Sequence, residues 1–555
     1  MNKKLCALAV AVLAAFCVFA AACGNGGSSN NENGGNTDGK ADWSVQAETE
    51  KDDMTISVTG TAKTGETFAG AEISLYYGDE LVESKAAAES VSFEAPHHGI
   101  FTVKLIKDEQ TLVETEAKVW ASSYRIAYFN ATLPVTMFMS SVFSDQSGNL
   151  EYLQGESGFT ESGACAVPTY IYLERTQTFN WDELPENAYA FPSGNVEWWS
   201  GFYAASDFIA ELYSMDSSSV FSFNFADNYA TLVTLFAWRN QLPAENYTVN
   251  IWTDGTGTYN GINGSVVDQS AYDAIRSAQE DLSAEMEAAA DSDARFELAE
   301  EYIAEWIDSE EHPNQIDCFG WSFVFACENE NVNYAVNSLE GLFTDTDNEE
   351  IAAFKELAEE NLTVVPLNAM LSVLRADEAG FRAFEFLYQT RWIGEDGEEH
   401  SYSDIFGASE KPNLLILGTS VSGEATNDAQ PYTFLEYYEY LQKAYGDTYD
   451  IFYKAHPSYP IDSFEDGRAQ LFEEDGVVDI TPAQIPVELF MFFYEDVYIC
   501  GYFGSSFYSS QKGQTICFFN TEAVVRANET ALAMIEEGIF EGTVYLGDLD
   551  LKSAA

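Results

Sequence analysis

The sequence predicts an α/β protein in which two Rossmann-like lobes follow a small all-β sandwich. Three observations carry this. Between Phe452 and Ser510, strand, loop and helix alternate with short connections, the pattern of a parallel sheet with helices on its faces. Between Asp42 and Trp120, short runs of alternating apolar and polar residues are punctuated by Gly, Asp and Pro, the pattern of antiparallel strands. The chain of 555 residues is too long for one ordinary domain, and its 46% hydrophobic and 14% aromatic content is ample for several packed cores.

In chain order, Met1-Asn2-Lys3-Lys4 is a short positive head. An apolar run, Leu5–Ala22, follows and ends in Ala20-Ala21-Ala22-Cys23-Gly24. This is a secretory signal, residues 1–22, with small residues before a cysteine, and it resembles a bacterial lipoprotein signal in which Cys23 is lipidated. The competing reading is a membrane anchor, for which 18 apolar residues are barely enough. Residues 23–41, rich in Gly, Asn and Ser, form a flexible tether.

Residues 42–120 are expected to be an immunoglobulin-like sandwich built from Met54–Ala62, Ala71–Tyr77, Ser90–Ala95, Gly99–Ile106 and Thr111–Trp120. It carries no catalytic constellation and reads as a spacer or interaction module. Residues 121–410 form the first lobe, with strands Tyr124–Phe129, Thr169–Leu173, Val220–Phe225 and Thr248–Trp252. Helical runs lie at Val135–Phe143, Gly201–Met215 and Tyr229–Asn240, and a helical insert at Ala271–Ile307 and Glu349–Gly380. Residues 411–555 form the second lobe, with strands Leu414–Leu417, Phe452–Lys454, Val477–Ile480 and Val497–Cys500 and helices Pro431–Tyr445 and Val487–Tyr494.

The net charge of −66 excludes nucleic acid and anionic lipid headgroups as partners. Beyond the signal and the lipid position Cys23, the cysteines are Cys165, Cys318, Cys327, Cys500 and Cys517, an odd number without metal-ligand spacing. They read as buried thiols, with a Cys318–Cys327 disulfide left open. The five histidines form no metal pattern, so no metal or cofactor is expected.

Four short pieces carry chemistry. Trp252-Thr253-Asp254-Gly255-Thr256 closes a first-lobe strand with a carboxylate, which is either a turn residue or a general base. Lys454-Ala455-His456-Pro457 joins a titratable ring to a nearby cation and a rigid proline. Glu488 opens a helix, where a carboxylate is favoured by the helix dipole. Gly504-Ser505-Ser506-Phe507 places two hydroxyls at an expected helix start, a setting for either an N-cap or an anion. Ligands of such sheets bind outside the carboxyl ends of the strands, so His456, Glu488, Ser505 and Ser506 are expected to share a crevice for a phosphorylated, ribose-bearing ligand.

The order and spacing of these pieces resemble the bacterial sialyltransferases of glycosyltransferase family 80. Further likeness lies in Tyr128–Pro134, Pro412–Thr419 and Val487-Glu488-Leu489, over roughly residues 121–545. The resemblance implies a GT-B type fold and an inverting, metal-independent transfer of sialic acid from CMP-sialic acid to a glycan hydroxyl. In that case Asp254 would be the general base and His456 the general acid toward the departing CMP phosphate. Ser505 and Ser506 would hold that phosphate, and Glu488 the ribose hydroxyls. Lys454 and Pro457 would line the cytidine pocket, Thr132 and Thr419 would help bind the donor, and Thr256 and Asp227 would lie on the acceptor side. The protein would sit at a bacterial cell surface or in the periplasm, bound to the membrane only through lipid on Cys23.

The sequence departs from the family in three places. No Trp follows Gly418-Thr419-Ser420-Val421-Ser422, Asp227 stands where an acceptor-side His is usual, and Thr253 replaces the first of two Asp. The donor half therefore matches better than the acceptor half. A CMP-Kdo or polysialic-acid type transferase, and a non-catalytic glycan-binding lipoprotein, are the alternatives.

Overall fold

A computed structural model describes residues 42–144, 164–174, 178–192, 198–229, 237–253, 255–291, 293–298, 301, 314–345, 347–419, 431–456, 459–480 and 485–554. The signal and tether expected at 1–41, with Cys23, lie outside them. No helix among the described residues is long and apolar enough to cross a membrane.

The first seven strands are β1 (Ser44–Glu48), β2 (Thr55–Thr61), β3 (Ala71–Tyr77), β4 (Glu80–Ala86), β5 (Ser90–Glu94), β6 (Gly99–Lys107) and β7 (Gln110–Val119). They form two antiparallel sheets, ordered β1-β2-β5 and β4-β3-β6-β7. Strand alternation turns Ile56, Val58 and Phe93 of one sheet, and Ile73, Leu75, Phe101, Val103 and Leu105 of the other, into a single core. β1 and β4 were not anticipated; β4 is mostly exposed, so its sequence lacks a clear apolar face.

The first lobe holds seven parallel strands: β8 (Ser123–Phe129), β9 (Ala164–Leu173), β10 (Glu186–Ala190), β11 (Val220–Ala226), β12 (Tyr247–Trp252), β13 (Val332–Val336) and β14 (Leu362–Val364). Their spatial order is 10-9-8-11-12-13-14, so the winding reverses between β8 and β11. The helices are α1 (Thr132–Val142), α2 (Trp198–Met215), α3 (Thr256–Ser265), α4 (Gln269–Ala288), α5 (Asn314–Glu328), α6 (Glu349–Asn361), α7 (Leu367–Arg375) and α8 (Glu378–Leu387). Two expectations change here. The run Glu349–Gly380 is not one helix: α6 ends at Asn361, β14 intervenes, and Pro366 caps a new helix at Leu367. Helix α5 was not anticipated; it packs so closely on α3 that a Cβ at Gly261 would fall 2.0 Å from the Phe319 ring.

A two-stranded hairpin, β15 (Arg391–Ile393) with β16 (Glu399–Ser401), and a short helix α9 (Tyr402–Phe406) lead into the second lobe. Its parallel strands are β17 (Asn413–Leu417), β18 (Asp450–Lys454), β19 (Val478–Asp479), β20 (Val497–Gly501), β21 (Thr515–Phe518) and β22 (Val544–Tyr545), in the order 19-18-17-20-21-22. The winding reverses between β17 and β20. Its helices are α10 (Phe434–Tyr445), α11 (Arg468–Asp475), α12 (Val487–Phe493), α13 (Glu522–Arg526) and α14 (Glu529–Glu536). β17 is buried along its whole length, which explains its unbroken apolar sequence. One core, with Phe138, Trp252, Phe384, Leu415 and Phe490, runs through both lobes.

The sandwich is fastened to the first lobe by polar contacts. Asp52 accepts from the Ser122 amide (2.6 Å) and hydroxyl (2.7 Å), and Lys51 pairs with Asp216 at 2.8 Å. The His98 amide donates to the Tyr170 hydroxyl at 2.8 Å, and the His98 ring nitrogen Nδ1 lies 2.8 Å from the same oxygen. Burial, with the neighbouring His97, pushes the His98 pKa down to about 4.

Candidate active site at the strand ends of the second lobe

The strand register brings three loops to one edge. Leu417 is paired with Lys454 on one side and with Gly501 on the other, so the chain leaves β17, β18 and β20 at the same height. This edge lies at the reversal between β17 and β20, where open α/β sheets leave a crevice. The backbones are close here. A Cβ on Gly501, whose φ is +142°, would come 2.9 Å from the Leu417 carbonyl, and one on Gly418 would come 3.0 Å from the His456 amide nitrogen.

On this edge stand most of the expected donor-side residues. Lys454 ends β18, is only 3% exposed, and its ammonium donates to the Ala455 carbonyl at 2.9 Å. It lies within electrostatic reach of Glu488. Glu488, in the first turn of α12, is half-buried and takes a hydrogen bond from Ser506. Desolvation raises its pKa, while the Lys454 charge and the Ser506 hydrogen bond pull the other way. His456 is half-buried, two residues past β18; its ring lies 5.2 Å from that of Tyr459, whose amide donates to the His456 carbonyl at 3.0 Å. Thr419 is half-buried just beyond β17. Pro457 lies outside the described residues, as does the side chain of Ser505.

The segment after Gly504 departs from expectation. Ser505–Ser509 is a 3₁₀ turn, not the start of an α-helix, and closes with the Phe507 amide on the Gly504 carbonyl at 3.1 Å. Gln511 and Gly513 follow at once and the chain enters β21, which leaves no room for a longer helix.

The first-lobe residues divide. Asp254 lies outside the described residues, as does the side chain of Thr256. Its flanks are well fixed. The Thr253 hydroxyl accepts from the Gly255 amide at 3.1 Å and meets the Thr258 hydroxyl at 2.8 Å, and Gly255, with φ +88°, turns the chain into α3. Thr253 is therefore a buried turn residue. Thr132 is half-buried at the start of α1 and its carbonyl accepts from the Thr136 hydroxyl at 2.6 Å.

Asp227 corrects the acceptor-side expectation. It is fully buried at the end of β11, and its Oδ2 accepts from the Tyr334 hydroxyl at 2.9 Å and from the Thr258 hydroxyl. It presents no surface to an acceptor and instead ties the end of β11 to β13 and α3. None of the remaining thiols Cys165, Cys318, Cys327, Cys500 and Cys517 is in a disulfide, so Cys318 and Cys327 are not bridged. No group of three His, Cys, Asp or Glu side chains among the described residues is arranged to hold a metal ion.

Sequence reasoning missed Asn130. It follows β8 at the reversal point of the first lobe, and its buried amide oxygen has no hydrogen-bond partner among the described residues. The signal was its position between a strand and Ala131-Thr132, the start of a helix.

A sandwich ahead of two parallel-sheet lobes, each with its reversal point at the strand ends, defines a two-lobed GT-B protein. No family model matches the chain, and no curated protein matches it. Among solved structures it is similar to the 2,6-sialyltransferase of Photobacterium sp. JT-ISH-224, in a ternary complex with CMP and lactose, at 13% identity and a TM-score of 0.51, over 90% of this chain and 95% of that one. A sialyltransferase from Photobacterium damsela matches at 13% identity and TM-score 0.48, over 89% of this chain and 97% of that one. The alpha/beta-galactoside alpha-2,3-sialyltransferase of Photobacterium phosphoreum matches at 15% identity and TM-score 0.46, over 77% of this chain and the whole of that one. The fold is that of the JT-ISH-224 sialyltransferase.

Proposed function

We propose that this chain is a bacterial sialyltransferase of glycosyltransferase family 80, which transfers sialic acid from CMP-sialic acid to a glycan hydroxyl with inversion and without metal. The observation that carries the reading is the assembly of Lys454, His456, Glu488 and Ser506 on one edge beside the reversal point of the second lobe. A carboxylate for ribose hydroxyls, a serine turn for a phosphate and an imidazole for the departing charge are the groups such a donor needs. The shared fold adds support, since the JT-ISH-224 enzyme was solved with CMP and lactose.

In this reading the bond from the sugar to the CMP phosphate breaks as the acceptor oxygen attacks the opposite face of the anomeric carbon. Asp254, on the loop after β12, takes the acceptor proton. His456 donates to the leaving phosphate, and Ser505 and Ser506 hold it. Stabilising that charge is the main electrostatic task. A positioned acid and base each contribute about 10²–10⁴ in rate. Lys454 acts through Glu488, holding the carboxylate charged against its desolvation. Cys23 carries lipid that tethers the enzyme at the outer face of a bacterial membrane.

The test separates chemistry from binding. Asp254→Ala is expected to abolish transfer while calorimetry finds CMP affinity within a few-fold of wild type. His456→Ala is expected to lower the rate at least 100-fold. Full rate in His456→Ala would overturn the assignment. CMP binding with no turnover of any acceptor would leave a glycan-binding lipoprotein instead.

A further inference from the structure

Two of the five histidines stand side by side in Pro96-His97-His98-Gly99, and the mechanism above uses neither. This bend enters β6 at the joint between the sandwich and the first lobe, and both rings face aromatic side chains. The His97 ring meets Tyr77 edge-on at 4.4 Å and Phe101 at 5.4 Å within the sandwich, and Phe208 of α2 at 6.3 Å across the joint. The His98 ring, in a residue 2% exposed, projects into the lobe. There it lies 5.4 Å from the Tyr124 ring of β8, 6.1 Å from Tyr170 of β9 and 5.9 Å from Tyr189 of β10.

The joint is closely built. Glu211 of α2 accepts from the Tyr77 hydroxyl at 3.1 Å and from the Ile100 amide. A Cβ at Gly99, whose φ is +152°, would stand 2.9 Å from the Tyr77 ring and 3.0 Å from Glu211 Oε1. His97 Nδ1 lies 2.7 Å from the His98 carbonyl. Among the described residues, neither imidazole is hydrogen-bonded to a carboxylate. A proton added to His98 makes both ring nitrogens donors, and the wall facing them is made of tyrosine rings. A buried charge in that setting has no counterion to offset its desolvation. The joint also belongs to neither core. The sandwich core runs from Val45 to Val119, and the lobe core begins at Ala121.

We propose that this bend is an acid-operated joint: protonation of His97 and His98 parts the sandwich from the first lobe, and the two swing about Trp120–Ser122 while each stays folded. The proposal does not depend on the transferase reading. Because the sandwich precedes both lobes in the chain, the joint sets how the lobes are held relative to the N-terminal segment.

The sign follows from the groups that face the rings. Burial, with His97 beside it, lowers the His98 pKa to about 4, and burial lowers that of His97; the Asp52 charge works against the His98 shift. The docked form therefore binds fewer protons than one with both rings in water, and docking weakens as the pH falls from 6.5 toward 4. At pH 5 the loss from His98 alone is about thirtyfold in the docking constant. Glu211 acts the other way, since burial raises its pKa and its proton favours the docked form. It sets one carboxyl against two imidazoles. Asp216, held at about 2 by Lys51 and Ser218, stays charged. Tyr77, Tyr124, Tyr170 and Tyr189, all raised by burial, stay neutral.

Hydrogen exchange and small-angle scattering on the full chain at pH 7.5 and pH 5.0 test it, with labelling times corrected for the intrinsic exchange rate. The His98 and Ile100 amides donate across the joint, to Tyr170 and Glu211. At pH 5.0 they are expected to lose protection at least tenfold and the maximum dimension to grow, while β2, β3, β8 and β11 keep their protection. His97→Gln combined with His98→Gln is expected to hold the joint closed at pH 5.0. Unchanged protection and shape in wild type at pH 5.0 would overturn the proposal. So would loss of protection throughout the two cores, which is acid unfolding, or a double variant closed at pH 7.5 that opens at pH 5.0 as wild type does. Should the double variant be open already at pH 7.5, wild type decides alone: its opening constant is expected to rise about threefold or more between pH 6 and pH 5, and a constant that does not move would overturn the proposal.

Discussion

Replacing Asp227 with alanine is expected to cost about 2–4 kcal/mol of stability, a large effect for a residue first assigned to a substrate. The magnitude follows from its partners. Oδ2 accepts from the Tyr334 hydroxyl at 2.9 Å and from the Thr258 hydroxyl, and all three residues are fully buried. Removing the carboxylate strips Tyr334 of an acceptor, at about 1–3 kcal/mol for a buried polar group left unsatisfied. Thr258 retains the Thr253 hydroxyl at 2.8 Å and loses less. The small void adds about 1 kcal/mol. Tyr334→Phe alone is expected to cost only about 0.5–1.5 kcal/mol, because Asp227 keeps Thr258 as a donor. In the double variant no tyrosine hydroxyl is left stranded, so its cost is expected to fall below the sum of the singles by about 1 kcal/mol or more. Urea unfolding followed by tryptophan fluorescence measures the cycle, provided the slopes agree among variants. Strict additivity, or an alanine variant within 0.5 kcal/mol of wild type, would refute the buried-network account.

Three further outcomes are expected. His98 is buried and neutral in the folded chain with its pKa pushed down to about 4, against an ordinary value of 6.5. The folded state therefore binds fewer protons than the unfolded one, and stability falls as the pH drops from 6.5 to 4, by about 3 kcal/mol in total; His98→Gln should flatten that part of a pH series of thermal melts. Glu488→Gln is expected to raise the dissociation constant for CMP about tenfold or more in calorimetry, since the charged acceptor is lost; unchanged affinity would remove Glu488 from the donor site. Gly501→Ala is expected to destabilise the second lobe by more than 1 kcal/mol in urea unfolding, because its φ of +142° and the Leu417 carbonyl 2.9 Å from the added Cβ both oppose a side chain.

The second lobe was the more legible half. β17, β18 and β20 are short apolar runs bounded by polar or glycine residues, and buried parallel strands have that signature. Their ends therefore mark Lys454 and His456, and the turn into α12 between β19 and β20 sets Glu488 within electrostatic reach of Lys454. The stretch around α5 and β13 was opaque. Helix α5 carries Phe319, Trp321, Phe323, Val324 and Phe325, all buried, and an element apolar on every side has no 3.6-residue rhythm to detect. With β13 unrecognised, Tyr334 could not be set against Asp227, and Asp227 kept the acceptor-side place that the family resemblance implies. The 3₁₀ turn at Ser505–Ser509 was misread because Gly-Ser-Ser is as good a start for one turn as for a long helix.

The central claim is tested most directly by incubating the purified chain with CMP-sialic acid and a mixed pool of glycan acceptors in EDTA, and following CMP and product by mass spectrometry. The account predicts release of CMP matched by a sialylated acceptor of inverted anomeric configuration, lost in Asp254→Ala. Intact CMP-sialic acid across the whole pool, or transfer that survives Asp254→Ala, would contradict it.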